Sequence, residues 1–173
     1  MAATKSVRCV AIGVLAVAAG CTSANEADPA PTPTTAAPET TVDGGCTVTV
    51  ANYGPVPEGY AEVAGDVVWV DGPAGIAVLM YAGTSGATTI GTDGAMGPGR
   101  NTKILWISND EPGAMTLTAT KVETGAELVL ATHDAGTNFP STPVLPSEGC
   151  WKLSVTNADG VIASVLVRAE TMG

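Results

Sequence analysis

The chain of 173 residues contains a single histidine, His133, which is followed directly by Asp134. A histidine beside a carboxylate can act as a hydrolytic base, but only if the fold brings a nucleophile to its imidazole. The chain has no Gly-x-Ser-x-Gly elbow of the kind that presents a catalytic serine, and residues 83–86 lack its spacing. We therefore interpret His133 as a solvated turn residue, and we predict no catalytic residue and no enzymatic activity.

Transition-metal ligands are present but are poorly grouped. A zinc site needs several His or Cys ligands, and one histidine with widely separated cysteines does not supply them. Secreted β-sandwiches can bind copper through Met and His, and Met80, Met96 and Met115 are candidates. No Met-x-Met or His-x-His sequence groups them, so we interpret these methionines as core residues.

Calcium would require several oxygen ligands that converge on one point. The candidates are Asp93 with the carbonyl groups of residues 91–99, and Asp110 with Glu111. Neither group matches the spacing of an EF-hand loop. The sequence therefore predicts no bound metal and no cofactor.

Residues 82–101 form a glycine-rich segment that also contains Arg100. A phosphate cradle would need a glycine-rich turn between a strand and a helix, together with a lysine, and this segment has neither. We interpret it as a mobile connection with residues 88–90 as a short strand. A loop that contacts a partner is the alternative, because long loops in compact domains are often functional.

The charge balance excludes one large class of partner. Seventeen acidic residues oppose seven basic ones, a formal net charge of −10, and binding nucleic acid requires clusters of Lys and Arg against the phosphates. Only 14 % of the residues are charged, whereas 21 are glycine and 12 are proline. This composition is unlike that of long helices or coiled coils. It predicts a soluble, turn-rich β domain that binds no nucleic acid.

The N-terminus has the organisation of an export signal. Lys5 and Arg8 form a short basic region, and residues 10–19 are apolar except for one glycine. A run of this length is too short to span a bilayer and fits the apolar region of a signal peptide. We therefore predict that residues 1–20 are a signal peptide.

The end of this segment, Ala18-Ala19-Gly20-Cys21, resembles the lipobox of bacterial lipoproteins. The resemblance implies that the Cys21 thiol receives a diacylglyceryl group and that cleavage leaves Cys21 as the first residue. The alternative is an ordinary secretory peptide that is cleaved near the same point.

Residues 21–44 combine the predicted lipid attachment point with a linker. The segment is rich in Thr and Ala, contains almost no large apolar side chains, and has four prolines, Pro29, Pro31, Pro33 and Pro38. It cannot bury enough apolar surface to offset the entropy of ordering. An extended, polyproline-like chain advances about 3 Å per residue, so we expect a tether several nanometres long.

Two cysteines, Cys46 and Cys150, remain after Cys9 is assigned to the signal peptide and Cys21 to the lipid. Disulfides persist outside the cytoplasm, so we predict a Cys46–Cys150 disulfide, with two free thiols as the alternative. Trp151 follows Cys150, and on a strand these neighbours point to opposite faces. At most one of the two can therefore face the centre of the domain fully.

The remaining chain, residues 45–173, shows the two-residue periodicity of strands separated by turn signals such as Asp71-Gly72-Pro73 and Asn157-Ala158-Asp159-Gly160. The predicted strands are residues 47–50, 66–70, 76–81, 103–108, 115–122, 126–131, 151–156 and 161–168. This pattern predicts an all-β, antiparallel sandwich of about seven to nine strands, with the three tryptophans in its core.

Two stretches resemble a set of bacterial secreted proteins and lipoproteins. Residues 146–151 read Pro-Ser-Glu-Gly-Cys-Trp, similar to a Pro-x-x-Gly-Cys-Trp signature that enters the last hairpin of an immunoglobulin-like sandwich. Residues 102–106 are similar to a Lys-x-x-Trp strand of the set, without its usual basic residues afterwards, and Pro140-Ser141 also looks similar. The resemblance spans residues 60–169 and implies an immunoglobulin-like fold and an extracytoplasmic location. It supplies no activity and no site.

These observations together predict a lipoprotein at the outer face of the bacterial cytoplasmic membrane, attached through its N-terminal lipid. We expect a non-catalytic binding or envelope-structural module, with an envelope protein as its candidate partner. A metal or small-solute carrier and an enzyme accessory domain are the alternatives. A polar cleft near His133 would favour an enzyme. Contact between Met96 and His133 would favour a carrier, and an exposed apolar patch on one sheet would favour a binding module.

Overall fold

The computed structural model describes residues 39–60, 62–82, 88–96, 100–110 and 112–172. The predicted signal peptide, Cys21 and most of the predicted tether lie outside these residues. The described residues form strands but no helix long and apolar enough to cross a membrane. In chain order the strands are β1 (Thr40–Asp43), β2 (Cys46–Thr49), β3 (Asn52–Gly54), β4 (Val67–Asp71), β5 (Gly75–Leu79), β6 (Thr89–Gly91), β7 (Ile104–Ser108), β8 (Met115–Lys121), β9 (Glu127–His133), β10 (Asn138–Ser141), β11 (Gly149–Asn157) and β12 (Gly160–Glu170).

Two five-stranded sheets pack face to face. The first has the order β10-β7-β5-β4-β3 and the second the order β6-β12-β11-β8-β9, while β1 and β2 form a separate hairpin. The predicted all-β sandwich is confirmed. The described residues contain twelve strands, more than the predicted seven to nine, because β1, β3 and β10 were not predicted. β6 also pairs in parallel with β12, a departure from a purely antiparallel arrangement.

The first described strand moves the start of the folded part toward the N-terminus. Thr40–Asp43, which the sequence assigned to the linker, are hydrogen-bonded to β2 with Asp43 opposite Cys46. All four residues of β1 are exposed, so no buried apolar side chain marks this strand in the sequence. The predicted linker therefore ends before Thr40 and not at residue 44.

The core between the sheets follows from the alternating strands. On β8, Met115, Leu117 and Ala119 are at most 2 % exposed, whereas the threonines between them face outward. Trp106 and Trp151 are also in this core. Burying such side chains supplies the main driving force for folding, at about 25 cal/mol per Å² of apolar surface.

Trp69 departs from the prediction that all three tryptophans are core residues. On β4, Val68 and Val70 point into the sandwich, so Trp69 points to the outer face of the first sheet. There it packs beside a smaller apolar cluster of Tyr60, Ile76, Val78 and Ile107. Tyr60, which lies between β3 and β4, therefore covers part of this face.

Candidate functional site

A groove of about 500 Å³ lies where β4 begins, β5 ends and β7 begins. Residues of four strands and of the β3–β4 connection meet there, so the residues that form it are far apart in the sequence. We call it the β3–β5 groove. Its lining residues are Tyr53, Glu62, Val63, Ala64, Asp66, Val67, Val68, Val78, Leu79, Met80 and Leu105.

The β3–β5 groove has an apolar floor and two exposed apolar side chains at its surface. Tyr53 is 55 % exposed and Met80 is 56 % exposed, two of the exposed large apolar residues in the described part of the chain. Tyr53 pairs with Val68 on the edge strand β3, so its ring is on the inner face of the first sheet at its edge, whereas Val67, Val78 and Leu105 belong to the outer face. The flexible thioether of Met80 is exposed at the groove.

The charged residues that line the groove, Glu62 and Asp66, are both acidic and both exposed. With its side-chain amide oriented to satisfy both atoms, Asn138 donates hydrogen bonds to Glu62 Oε1 at 3.1 Å and to the Thr137 carbonyl at 3.3 Å. Lys103, whose carbonyl accepts a hydrogen bond from the Met80 amide, does not line the groove. The described lining thus combines apolar surface with negative charge.

The sequence interpretation missed this groove. Glu62 lies in a connection without periodicity, Asp66 was assigned to the start of the predicted strand 66–70, and Tyr53 lies on a strand of three residues that was not predicted. A detectable signal was present in the cluster of Gly, Pro and acidic residues at 54–66, which interrupts the strand pattern.

His133 lies at the end of β9, where it pairs with Met115 across the strands. Its ring stacks on Phe139, with centroids 5.5 Å apart and planes inclined by 17°. Among the described residues no serine or threonine hydroxyl is hydrogen-bonded to it. This places His133 in an aromatic contact at a sandwich edge, in a strand and not in the predicted turn.

The candidate metal ligands make other contacts in the described part of the chain. Asp93 Oδ1 accepts a hydrogen bond from the Ala95 amide at 2.9 Å, and Asp110 Oδ2 accepts one from Asn157 Nδ2 at 3.0 Å. Glu111 lies outside the described residues. Met115 is 2 % exposed in the core, whereas Met80 is at the β3–β5 groove.

In the described part of the chain, one group of potential metal ligands has its ligand atoms within 4.8 Å of one another. It consists of Cys46, Glu123 and Cys150. The two sulfurs are joined in a disulfide, and the Cα atoms lie 5.3 Å apart across 104 positions of sequence. Disulfide sulfurs are not thiolates, and thiolates are what a metal would need. The group is therefore a structural cross-link, with the predicted pairing.

The described parts of the glycine-rich segment are held to the second sheet. Thr89–Gly91 form β6, one residue later than predicted, and a bridge joins Ala95 to Asn101. Arg100 Nη2 donates a hydrogen bond to the Tyr81 carbonyl at 2.8 Å. These residues are thus an anchored connection, while residues 83–87 and 97–99 lie outside the described part.

Two features attach the β1–β2 hairpin to the second sheet. One is the disulfide, and the other is a group of ion pairs. Arg168, on β12, lies 3.6 Å from Asp43 Oδ1 and also pairs with Glu170. The Thr89 hydroxyl donates a hydrogen bond to Asp43 Oδ2 at 3.0 Å. The backbone amide of Cys150 donates a hydrogen bond to Glu123 Oε1 at 3.0 Å, so a carboxylate contacts one of the cross-linked residues directly.

These contacts predict a loss of stability in acid. The hydrogen bond from the Cys150 amide lowers the pKa of Glu123, and the one from the Thr171 amide lowers the pKa of Glu148. A carboxyl whose pKa is lower in the folded state stabilises the fold above its unfolded pKa of about 4.3, and this stabilisation is lost as the pH falls through the folded value. We expect Glu123→Gln to be less stable than wild type at pH 7 and the gap to shrink progressively as the pH falls below the unfolded pKa of about 4.3, as measured by urea denaturation.

Glu127→Gln is the matched control for this experiment. It removes an exposed carboxylate whose contact with the Thr120 hydroxyl is long, at 3.4 Å. A constant gap between Glu123→Gln and wild type across the pH range would contradict the assigned role of Glu123.

No family model and no curated protein matches the chain. One solved structure that it resembles is a crystal structure of a candidate lipoprotein from Bacillus anthracis. The similarity covers 77 % of this chain and 84 % of that one, with 14 % sequence identity and a TM-score of 0.34. A score this low carries no argument about function.

Proposed function

We propose that this protein is an extracytoplasmic lipoprotein whose β-sandwich is a non-catalytic binding module. The β3–β5 groove is the observation that carries the binding role, because a mostly apolar concavity with a few charged groups is the usual form of a ligand site. The exposed Met80 side chain adds apolar surface at this groove.

The location rests on the N-terminal sequence and on the disulfide. The apolar run before Cys21 directs export, and a disulfide across 104 positions belongs to an oxidising compartment. The lipid on Cys21 would attach the chain to the outer face of the membrane, and the proline-rich tether would separate the domain from the bilayer.

The non-catalytic role is supported by the surroundings of the single histidine. His133 stacks on Phe139, and among the described residues no hydroxyl nucleophile contacts it. A hydrolytic mechanism would need such a group within hydrogen-bond distance of the imidazole, and a third group to orient the imidazole.

Intact-protein mass spectrometry of the membrane fraction of the native host tests the proposed location. We expect a species that begins at Cys21, carries added acyl mass, and is two hydrogens lighter without reductant than with it. The Cys21→Ala chain is the matched control and should lose the acyl mass. A soluble, unlipidated wild-type species in the medium would overturn the anchor.

A further inference from the structure

We propose that Cys46, Cys150 and Glu123 bind a zinc ion when the disulfide is reduced. Their ligand atoms already lie within 4.8 Å of one another, on three separate segments of the chain. In the oxidised form the group is a cross-link, whereas in the reduced form it supplies two thiolates and a carboxylate. This inference goes beyond the binding role proposed above and does not use the β3–β5 groove.

The chemistry has two steps. A dithiol reductant supplies two electrons and two protons, so the S–S bond breaks, both cysteines become thiols and the dithiol is oxidised to a disulfide. A zinc ion then displaces the two thiol protons, because thiolates and not thiols are metal ligands. Two thiolates and one carboxylate occupy three positions of a tetrahedral zinc ion, and a water molecule from solvent takes the fourth.

Contacts other than the disulfide hold the two cysteines near each other. Besides the ion pairs of the hairpin, Thr49 Oγ1 on β2 accepts a hydrogen bond from the Leu166 amide at 2.8 Å. On the second sheet, the Cys150 carbonyl accepts a hydrogen bond from the Val122 amide at 2.9 Å. Zinc–sulfur bonds of about 2.3 Å in a tetrahedral site place two sulfurs about 3.8 Å apart. The two Cα atoms are 5.3 Å apart, so rotation of the side chains can supply this separation.

Glu123 is positioned beside the sulfurs by the backbone of residues 149 and 150. The hydrogen bond from the Cys150 amide to Glu123 Oε1 lowers the pKa of this carboxyl, so it stays ionised at neutral pH. Gly149 leaves room for it, because a Cβ atom at that position would lie 3.2 Å from Glu123 Oε1. A carboxylate has further lone pairs beyond the one that accepts this hydrogen bond, and ligating carboxylates are commonly hydrogen-bonded in this way.

A groove of about 300 Å³ opens onto the disulfide and gives a reductant and a metal ion a path to it. The charged residues of its lining are Glu123, Glu148, Glu170 and Arg168, and Arg168 is already paired with Glu170. The excess of acids favours a dication. The two sulfurs select zinc over calcium and magnesium, which take oxygen ligands.

Cobalt absorption tests the site, because Co²⁺ is a spectroscopic substitute for zinc. The sample is the full chain in detergent with Cys9→Ser and Cys21→Ser, so that Cys46 and Cys150 are its remaining cysteines. A water-soluble phosphine, which is oxidised to the phosphine oxide, reduces the disulfide. We expect one Co²⁺ per reduced chain, with the visible bands of tetrahedral thiolate coordination, and displacement of these bands by Zn²⁺. The oxidised chain should show no such bands.

Thermal melting gives a second measurement on the same sample. Zn²⁺ should raise the melting temperature of the reduced chain, because an ion that binds only the folded state stabilises it. It should leave the melting temperature of the oxidised chain unchanged.

Two substitutions assign the ligands. Cys46→Ser should abolish the cobalt bands. Glu123→Gln keeps an oxygen that can accept the Cys150 amide but removes the charged ligand, so Zn²⁺ binding to the reduced chain should weaken at least about tenfold. Glu127→Gln, which makes the same change on β9, is the matched control and should leave the affinity unchanged.

Several outcomes would overturn the inference. Equal Co²⁺ binding by the oxidised chain would assign the ion to the carboxylates of the groove and not to thiolates. Equal affinities of Glu123→Gln and wild type would remove Glu123 from the ligand set. A reduced chain that keeps its strand signal in circular dichroism but binds no metal would show that the thiols form no site. A reduced chain that unfolds and does not refold with Zn²⁺ would show that the other contacts do not hold the cysteines together.

Discussion

Replacing Cys46 with serine lowers the free energy of unfolding by about 2–5 kcal/mol, the expected cost of opening a large native disulfide loop. The Cys46–Cys150 cross-link spans 104 positions and therefore restricts most of the domain in its unfolded state. For a domain of this size we expect the melting temperature to fall by about 10–20 °C. Differential scanning calorimetry measures this loss, and the double variant Cys46→Ser/Cys150→Ser should match the single one.

Asp43→Asn is the control that separates the cross-link from the other contacts of the same hairpin. It removes the partly exposed ion pair with Arg168 and leaves the disulfide intact, so its cost should be below about 1 kcal/mol. Wild-type protein that melts at the same temperature with and without reductant would contradict a stabilising disulfide.

Trp106→Ala is expected to cost about 3–5 kcal/mol, the usual penalty for deleting a large buried aromatic side chain. Trp106 is fully buried between the sheets, and its indole Nε1 donates a hydrogen bond to Ser141 Oγ at 2.9 Å. The substitution therefore leaves a cavity and also removes a contact that joins β7 to the edge strand β10. Urea denaturation followed by circular dichroism measures the loss.

A pair of conservative substitutions tests this role further. Trp106→Phe loses the hydrogen bond to Ser141 and also part of the buried ring volume, so we expect a cost of about 2–3 kcal/mol, below that of Trp106→Ala. Trp69→Phe removes an indole N–H that has no hydrogen-bond partner among the described residues, and it should cost less than about 1 kcal/mol. Equal costs for the two variants would contradict the role assigned to Trp106 as a buried, hydrogen-bonded residue.

The sequence predicts the strands that have strong local signals. On β8, threonines alternate with apolar residues, so both faces of the strand could be assigned before the structure was known. The turn before Gly160 was equally clear, and Asn157 Oδ1 accepts hydrogen bonds there from the amides of Asp159 and Gly160. These turns are local, so a short stretch of sequence contains the information that forms them.

The β3–β5 groove could not be predicted in this way, because its shape depends on pairing between distant segments. Tyr53 and Met80 have the residue types of core positions, and only the edge position of β3 and the end of β5 leave them exposed. The same limit applies to Trp69, whose outward orientation follows from the register of β4 against β5. The faces of adjacent strands are assigned reliably only when their register is known.

The cross-linked hairpin also determines how the domain would carry mechanical tension. A force applied to the chain before Glu39 would first peel β1 from β2, one hydrogen-bonded pair at a time. Peeling would stop at Cys46, where the covalent bond passes the load to Cys150 at the start of β11. Because β11 is paired with β8 on one side and β12 on the other, the tension would enter the centre of the second sheet, where many hydrogen bonds share it.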